Sequence, residues 1–161
     1  MTRLVGKVSH FGGPNDMGVS ASEGLAFIYE VDMQPCLFLP EQPPNTTGLA
    51  RRLDPQKPYI AVRWNYDQIS KTQLLKTLVM VRAPKTGRCL FCIPGDWGPH
   101  EDTGRVADIS PGLMDALGIE TDDEIEVEFP ITLAKVKEAV KAKVKARPKK
   151  KRRMHKRRKP K

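Results

Sequence analysis

The chain has no apolar run approaching the roughly 18–20 residues that a membrane-spanning helix requires, and its most apolar stretch is broken by Lys76 and Arg82. Behind the single base of Met1–Gly6 there is no apolar segment of the ~7–15 residues found in secretory signals, so a cytoplasmic location is the default expectation. Action at a cell envelope would require lysis or delivery on a particle. Cysteine is scarce as well: three residues, an odd number, do not make a disulfide framework and favour a reducing compartment. Cys89 and Cys92 have CxxC spacing, but no second pair follows, and a zinc site would have to recruit Cys36 and a distant histidine. On a strand those two positions point to opposite faces. Buried thiols are the ordinary reading, and neither a metal nor another cofactor is expected.

Acid is what the C-terminal segment lacks. Residues 133–161 carry 16 Lys/Arg and one acid, Glu138, a net +15; residues 1–132 carry 12 bases and 18 acids, a net −6. The formal +9 of the 161-residue chain therefore describes neither part. The length suits one domain of ordinary size, 1–132, followed by a basic tail, 133–161.

Within 1–132, Pro and Gly punctuate short apolar or alternating runs and helical periodicity is scarce. The runs are Gly24–Val31, Cys36–Leu39, Tyr59–Trp64, Leu78–Val81, Cys89–Ile93 and Ile125–Phe129. In the last, Ile125, Val127 and Phe129 alternate with Glu126 and Glu128, the period-2 pattern of a half-buried strand. Short strands with frequent turns point to a mainly β fold, and about six of them suit a small barrel. Ser110 as N-cap, Pro111 at the first helical position and Gly118 as the stop define a two-turn helix. A second helix is expected from Ser70 to Leu78. In the tail, Leu133, Val136, Val140 and Val144 form one apolar stripe among lysines, and Pro148 ends that helix. The Lys/Arg run beyond it repels itself and is expected to be disordered without a partner.

The segment Ile93–Pro99 reads Ile-Pro-Gly-Asp-Trp-Gly-Pro. It places a carboxylate, Asp96, on a sharp turn after an apolar strand. Gly95 and Gly98 leave room for a bulky substrate, and Trp97 offers a flat face of the kind that packs on sugar rings, with an indole N–H that can donate. That set suits acid/base work on a carbohydrate. The plainer alternative is an aspartate bonding its own turn, with Trp97 as a core lid. His100 could tune Asp96 or bind substrate; Glu101 and Asp102 read as surface charge. Arg51, Arg52 and Arg63 have no motif and default to the surface.

The order Gly-Asp-Trp-Gly-Pro (95–99), Gly-Arg-Val-Ala-Asp-Ile-Ser (104–110), a short helix ending Leu-Gly-Ile (117–119) and an acidic turn into an alternating strand resembles the rare lipoprotein A-like double-psi β-barrel family. Val8–Gly13 and Ser20–Gly24 are similar to that family's opening aromatic-glycine turn and its small-residue-then-glutamate segment. Its relatives include lytic transglycosylases of peptidoglycan, family 45 endoglucanases and expansins. The resemblance covers about residues 5–130, carried by the last 40, and implies a six-stranded double-psi barrel. It further implies that Asp96 is the general acid or acid/base at the glycosidic oxygen and that Asp108 is the family's second aspartate. For Asp108 a structural role, bonding turn amides before the helix cap, is the alternative. Hydrolysis would need a carboxylate across the cleft, for which Asp16 is the best-placed candidate. The chain departs from the family at Trp97, where arginine is usual, and has no histidine between His10 and His100, where the family often carries one.

Three functions follow as expectations. The first is a cell-wall glycan-active enzyme, a peptidoglycan lytic transglycosylase or hydrolase such as a phage encodes, with its tail on an anionic envelope. The second is a non-catalytic wall-binding or structural module. The third is a nucleic-acid-associated protein, since Val106–Glu128 also resembles the half-barrel hairpin of AbrB-like regulators. In every case Lys149, Lys150, Lys151, Arg152, Arg153, Lys156, Arg157 and Arg158 would bind polyanions through counterion release.

Overall fold

The computed structural model describes residues 2–131. The tail helix with its valine stripe, and the polyanion-binding residues between Lys149 and Arg158, lie outside the described residues. Six strands form the domain: β1 (Thr2–His10), β2 (Tyr59–Val62), β3 (Leu78–Ala83), β4 (Arg88–Asp96), β5 (Arg105–Ile109) and β6 (Glu124–Ile131). Three short helices accompany them: α1 (Leu49–Arg52), α2 (Lys71–Leu74) and α3 (Pro111–Leu117). The strands close into a barrel in the order β1-β5-β2-β4-β3-β6. Pairing is parallel for β1–β5 and β2–β4 and antiparallel elsewhere. The protein is thus mainly β, a closed mixed barrel, as the strand count suggests. Among the described residues no helix is long and apolar enough to cross a membrane.

The barrel closes around Val8, Ile60, Val62, Val79, Val81, Ala107, Ile109, Ile125 and Val127, all fully buried. In β6 the alternation holds: Ile125, Val127 and Phe129 turn inward while Glu126 pairs with Arg3 at 2.8 Å on the outside. α3 forms as its punctuation requires. The Ser110 hydroxyl accepts the Leu113 N–H, Pro111 opens the helix and Gly118 leaves it in the left-handed conformation, so that Leu113 and Leu117 cover the core.

Two of the expected strands are absent. Gly24–Val31 is irregular, and Cys36–Leu39 holds the end of a single 3₁₀ turn, Pro35–Leu37, and one bridge from Phe38 to Leu53. Their apolar side chains instead plug the barrel as a loop: Leu25, Phe27, Ile28, Leu37 and Phe38 are buried. The backbone of the second run bonds to residues 52–54 (Leu39 to Arg52, Asp54 to Leu37), Glu23 just before the first run accepts the Ala50 N–H, and Pro35 and Pro40 supply no N–H to a ladder. Two strands took their place. β1 has only a thin inward face, Leu4, Gly6 and Val8, and Val5 points outward. β5 lies inside the Gly-Arg-Val-Ala-Asp-Ile-Ser segment. The helix expected over Ser70–Leu78 shrinks to the single turn α2, fixed by a capping box between Ser70 and Gln73.

Candidate functional site

The two parallel pairs each contain a register shift, between Ile60 and Ala61 on β2 and between Lys7 and Val8 on β1. The partner strands β4 and β5 absorb the extra residues, Gly95 one residue before Asp96 and Val106 two residues before Asp108. Across the sheet this aligns Ser9 with Asp108, Asp108 with Ala61, and Ala61 with Asp96. Two carboxylates therefore flank one alanine. Two strand spacings put their Cα atoms roughly 10 Å apart, and the alanine methyl leaves the space between them open.

Asp96, Trp97, Asp108, Asp16 and His100 all line one cavity of about 490 Å³, together with Ser9, His10, Glu23 and Arg105. Every site residue expected within the barrel is thus brought to the same place, though their surroundings differ from expectation. Asp96 is the last residue of β4, half-buried, and not on an exposed turn. Its Oδ1 accepts the Ala26 N–H at 2.7 Å and the Trp97 N–H at 2.8 Å. Its Oδ2 accepts no hydrogen bond among the described residues. Burial, and more weakly the charges of Glu23 and Asp108, push its pKa up to about 6 against the pull of those two N–H groups.

Asp108 accepts the Ser9 hydroxyl, and among the described residues no turn amide bonds its side chain, so the amide-bracing role does not describe it. Burial and then Asp16 raise its pKa, while the Ser9 bond, Arg105 and His10 lower it; burial prevails. Asp16 differs: its Oδ2 takes the Gly12 N–H at 2.6 Å and its Oδ1 the Gly18 N–H at 2.7 Å. Both oxygens brace the loop 12–18.

The Trp97 indole N–H donates to the Trp64 carbonyl at 3.3 Å, so its ring face, on a residue 42% exposed, is what it offers a ligand. His100 stands on the rim, its Nδ1 accepting the Asp102 N–H at 3.4 Å. The two glycines serve the backbone before any substrate. Gly95 packs on Tyr59, whose Cβ lies 3.3 Å from where a methyl would go, and Gly98 has φ +148°, which L-residues avoid.

Sequence reasoning assigns no site role to His10 or Glu23, and the surface default for Arg51, Arg52 and Arg63 does not hold. All three arginines are half-buried. Arg63 donates to the carbonyls of Pro99 (2.8 Å) and Arg105 (2.9 Å), Arg51 to those of Pro14 and Val19, and Arg52 to those of Leu39 and Pro40. Arg63 and Arg51 thereby clamp segments that wall the cavity, at Pro99, Arg105 and Val19, while Arg52 ties down the Leu39–Pro40 loop. The available signal is the position of Arg63 inside the run Tyr59–Trp64, one residue past the end of β2. The cysteines also differ among themselves: Cys92 is buried, which pushes its thiol pKa up, Cys89 is half-buried and Cys36 is exposed.

The arrangement is a cleft with one carboxyl group whose pKa is raised to about 6, a second carboxylate across an alanine, and an aromatic face beside them. A scan against protein-family models found no match, and no curated protein matches the chain.

Proposed function

We propose that the barrel cleaves a cell-wall glycan, with Asp96 as general acid/base on a double-psi-type fold. The observation that carries this reading is the state of Asp96: its carboxyl is held by two N–H groups on Oδ1, has a free Oδ2, and titrates at about 6 inside a cavity walled by Trp97. A proton donor working near neutrality needs a pKa close to the ambient pH. The family resemblance of residues 95–99 and 104–119 supports the same assignment, as do the two parallel strand pairs of a mixed six-stranded barrel.

In the proposed reaction the proton on Asp96 Oδ2 passes to the glycosidic oxygen as its bond to the anomeric carbon breaks. The ionised Asp96 then takes the proton of the sugar's own hydroxyl as that oxygen closes on the anomeric carbon. One carboxyl suffices for this lytic route. The register favours a second route as well: Asp108, across Ala61, can accept a proton from water attacking the opposite face. Its Cα separation from Asp96 is compatible with the roughly 6.5–9.5 Å between carboxyl groups used by inverting enzymes. Asp108 replaces Asp16 as the second carboxylate because Asp16 spends both oxygens on its loop.

The test is incubation of the full chain with purified peptidoglycan beside Asp96→Asn and Asp108→Asn. Soluble fragments with anhydro ends, lost in Asp96→Asn and retained in Asp108→Asn, establish the lytic route. Reducing ends, lost in both variants, establish hydrolysis. Binding without fragments from any of the three proteins leaves a wall-binding module and overturns the catalytic reading.

A further inference from the structure

Three aromatic side chains stand exposed on the described surface: Trp97, Tyr66 and Tyr29, the last 63% accessible. Trp97 belongs to the cavity; the two tyrosines do not line it. They are held as a pair by Lys71 at the start of α2. The Lys71 Nζ sits 5.2 Å from the centre of the Tyr66 ring and 5.9 Å from that of Tyr29. It donates to the Ala26 carbonyl at 3.0 Å and to Tyr29 Oη at 3.3 Å. The N–H of that same Ala26 holds Asp96 Oδ1 at 2.7 Å. One residue's backbone therefore separates the ammonium from the carboxyl. Tyr66 is tied to the site from the other direction: Trp64, two residues earlier, donates its indole N–H to the Asp96 carbonyl at 2.7 Å and receives that of Trp97. Burial and then the charge of Asp96 raise the pKa of the Tyr66 phenol, in keeping with that proximity.

Aromatic faces on an exposed surface suit the apolar faces of sugar rings. An ammonium set over the Tyr66 ring and hydrogen-bonded to the Tyr29 hydroxyl adds charge selectivity, and only two of its three N–H groups are committed. The cavity next to it carries the acids Asp16, Glu23, Asp96 and Asp108 against one arginine, Arg105, which is already paired with Asp122, so it repels an acidic ligand. A ligand bearing carboxylates would thus find its nearest counter-charge on this side of Asp96 at Lys71.

We infer that Tyr29, Tyr66 and Lys71 form a subsite beside Asp96 for a carboxylate-bearing unit of the glycan strand, its ring faces on the tyrosines and its carboxylate on the ammonium. This rests on the glycan reading above and names the acidic character of its substrate. All three side chains are exposed, so their truncation leaves the core intact.

The test is retention of the full chain on peptidoglycan sacculi at about 0.5 M salt, where the attraction of the basic tail is largely screened. Sacculi with their carboxylates amidated serve as the second ligand. Wild type is expected to bind native sacculi about tenfold more tightly than amidated ones. The Tyr29→Ala/Tyr66→Ala variant should lose about tenfold on both ligands. Lys71→Met should bind both alike, at the wild-type level for the amidated form, and Lys71→Arg should recover the preference. Variants of wild-type thermal stability that bind native sacculi as wild type does would overturn the subsite while leaving the glycan reading intact. Failure of wild type to bind either ligand overturns both.

Discussion

Burial and two neighbouring carboxylates drive Asp96 toward its neutral form, while two backbone N–H groups favour the ionised one. Because its native pKa of about 6 lies above the ordinary carboxylate value, the native state holds the proton more tightly than the unfolded chain does. The corresponding stability is fully present below the unfolded pKa and is lost as pH rises toward 6. Asp96→Asn, neutral at every pH, is therefore expected to stabilise the protein by about 2 kcal/mol at pH 7 and by almost nothing at pH 4. Thermal melts at the two pH values check this; a variant less stable than wild type at pH 7 contradicts it. Asp108 contributes to the raised pKa of Asp96 through its charge. Asp108→Asn should accordingly move the alkaline limb of any pH–activity profile toward lower pH, and an unmoved limb would mean that the two carboxyl groups do not sense each other. Asp96, Asp108, Trp97 and His100 were legible in the sequence because their spacing is local. The partners that set their chemistry were not: Ser9 lies 99 residues from Asp108 and Ala26 lies 70 from Asp96.

At the scale of elements, β6 and α3 were readable because each carries a complete local code, period-2 alternation in one and cap, proline and terminal glycine in the other. β1 carries no such code. Gly6 interrupts its inward face for a reason found only across the barrel, since a methyl at Gly6 would lie 2.6 Å from Val106 Cγ1. That close approach lets β1 lie against β5 and so carries Ser9 to Asp108. Gly6→Ala is expected to cost about 1–3 kcal/mol by overpacking. Val106→Ala in the same chain should recover most of that loss, because it removes the methyl that clashes. Denaturant titration of the two singles and the double decides the matter, and additive losses would show that the clash is not the cause. The stretch Gly24–Phe38 misleads in the opposite sense. Its apolar side chains are core, but a loop delivers them, and periodicity cannot distinguish a strand's face from a plug.

The whole chain joins a barrel domain of net −6 to a segment of net +15. In the proposed reading the two charges act on different partners. Removal of residues 132–161 should abolish retention on an anionic matrix such as DNA or lipopolysaccharide, whereas the full chain should elute progressively earlier as salt rises. Persistent retention of the shortened protein would move polyanion binding onto the barrel, against its acidic cavity. In the proposed reading, charge bears on where the protein is held, and the row Asp108–Ala61–Asp96 on what it does there.

The most direct test of that division is the pH dependence of fragment release from purified peptidoglycan by the full chain, measured from about pH 4 to 8 beside Asp96→Asn. The expected result is release by wild type that declines above pH 6, roughly tenfold per unit as Asp96 loses its proton, and a loss of at least about a hundredfold in the variant. Release that is equal in the two proteins, or absent at every pH, would contradict the assignment of Asp96 as the acid.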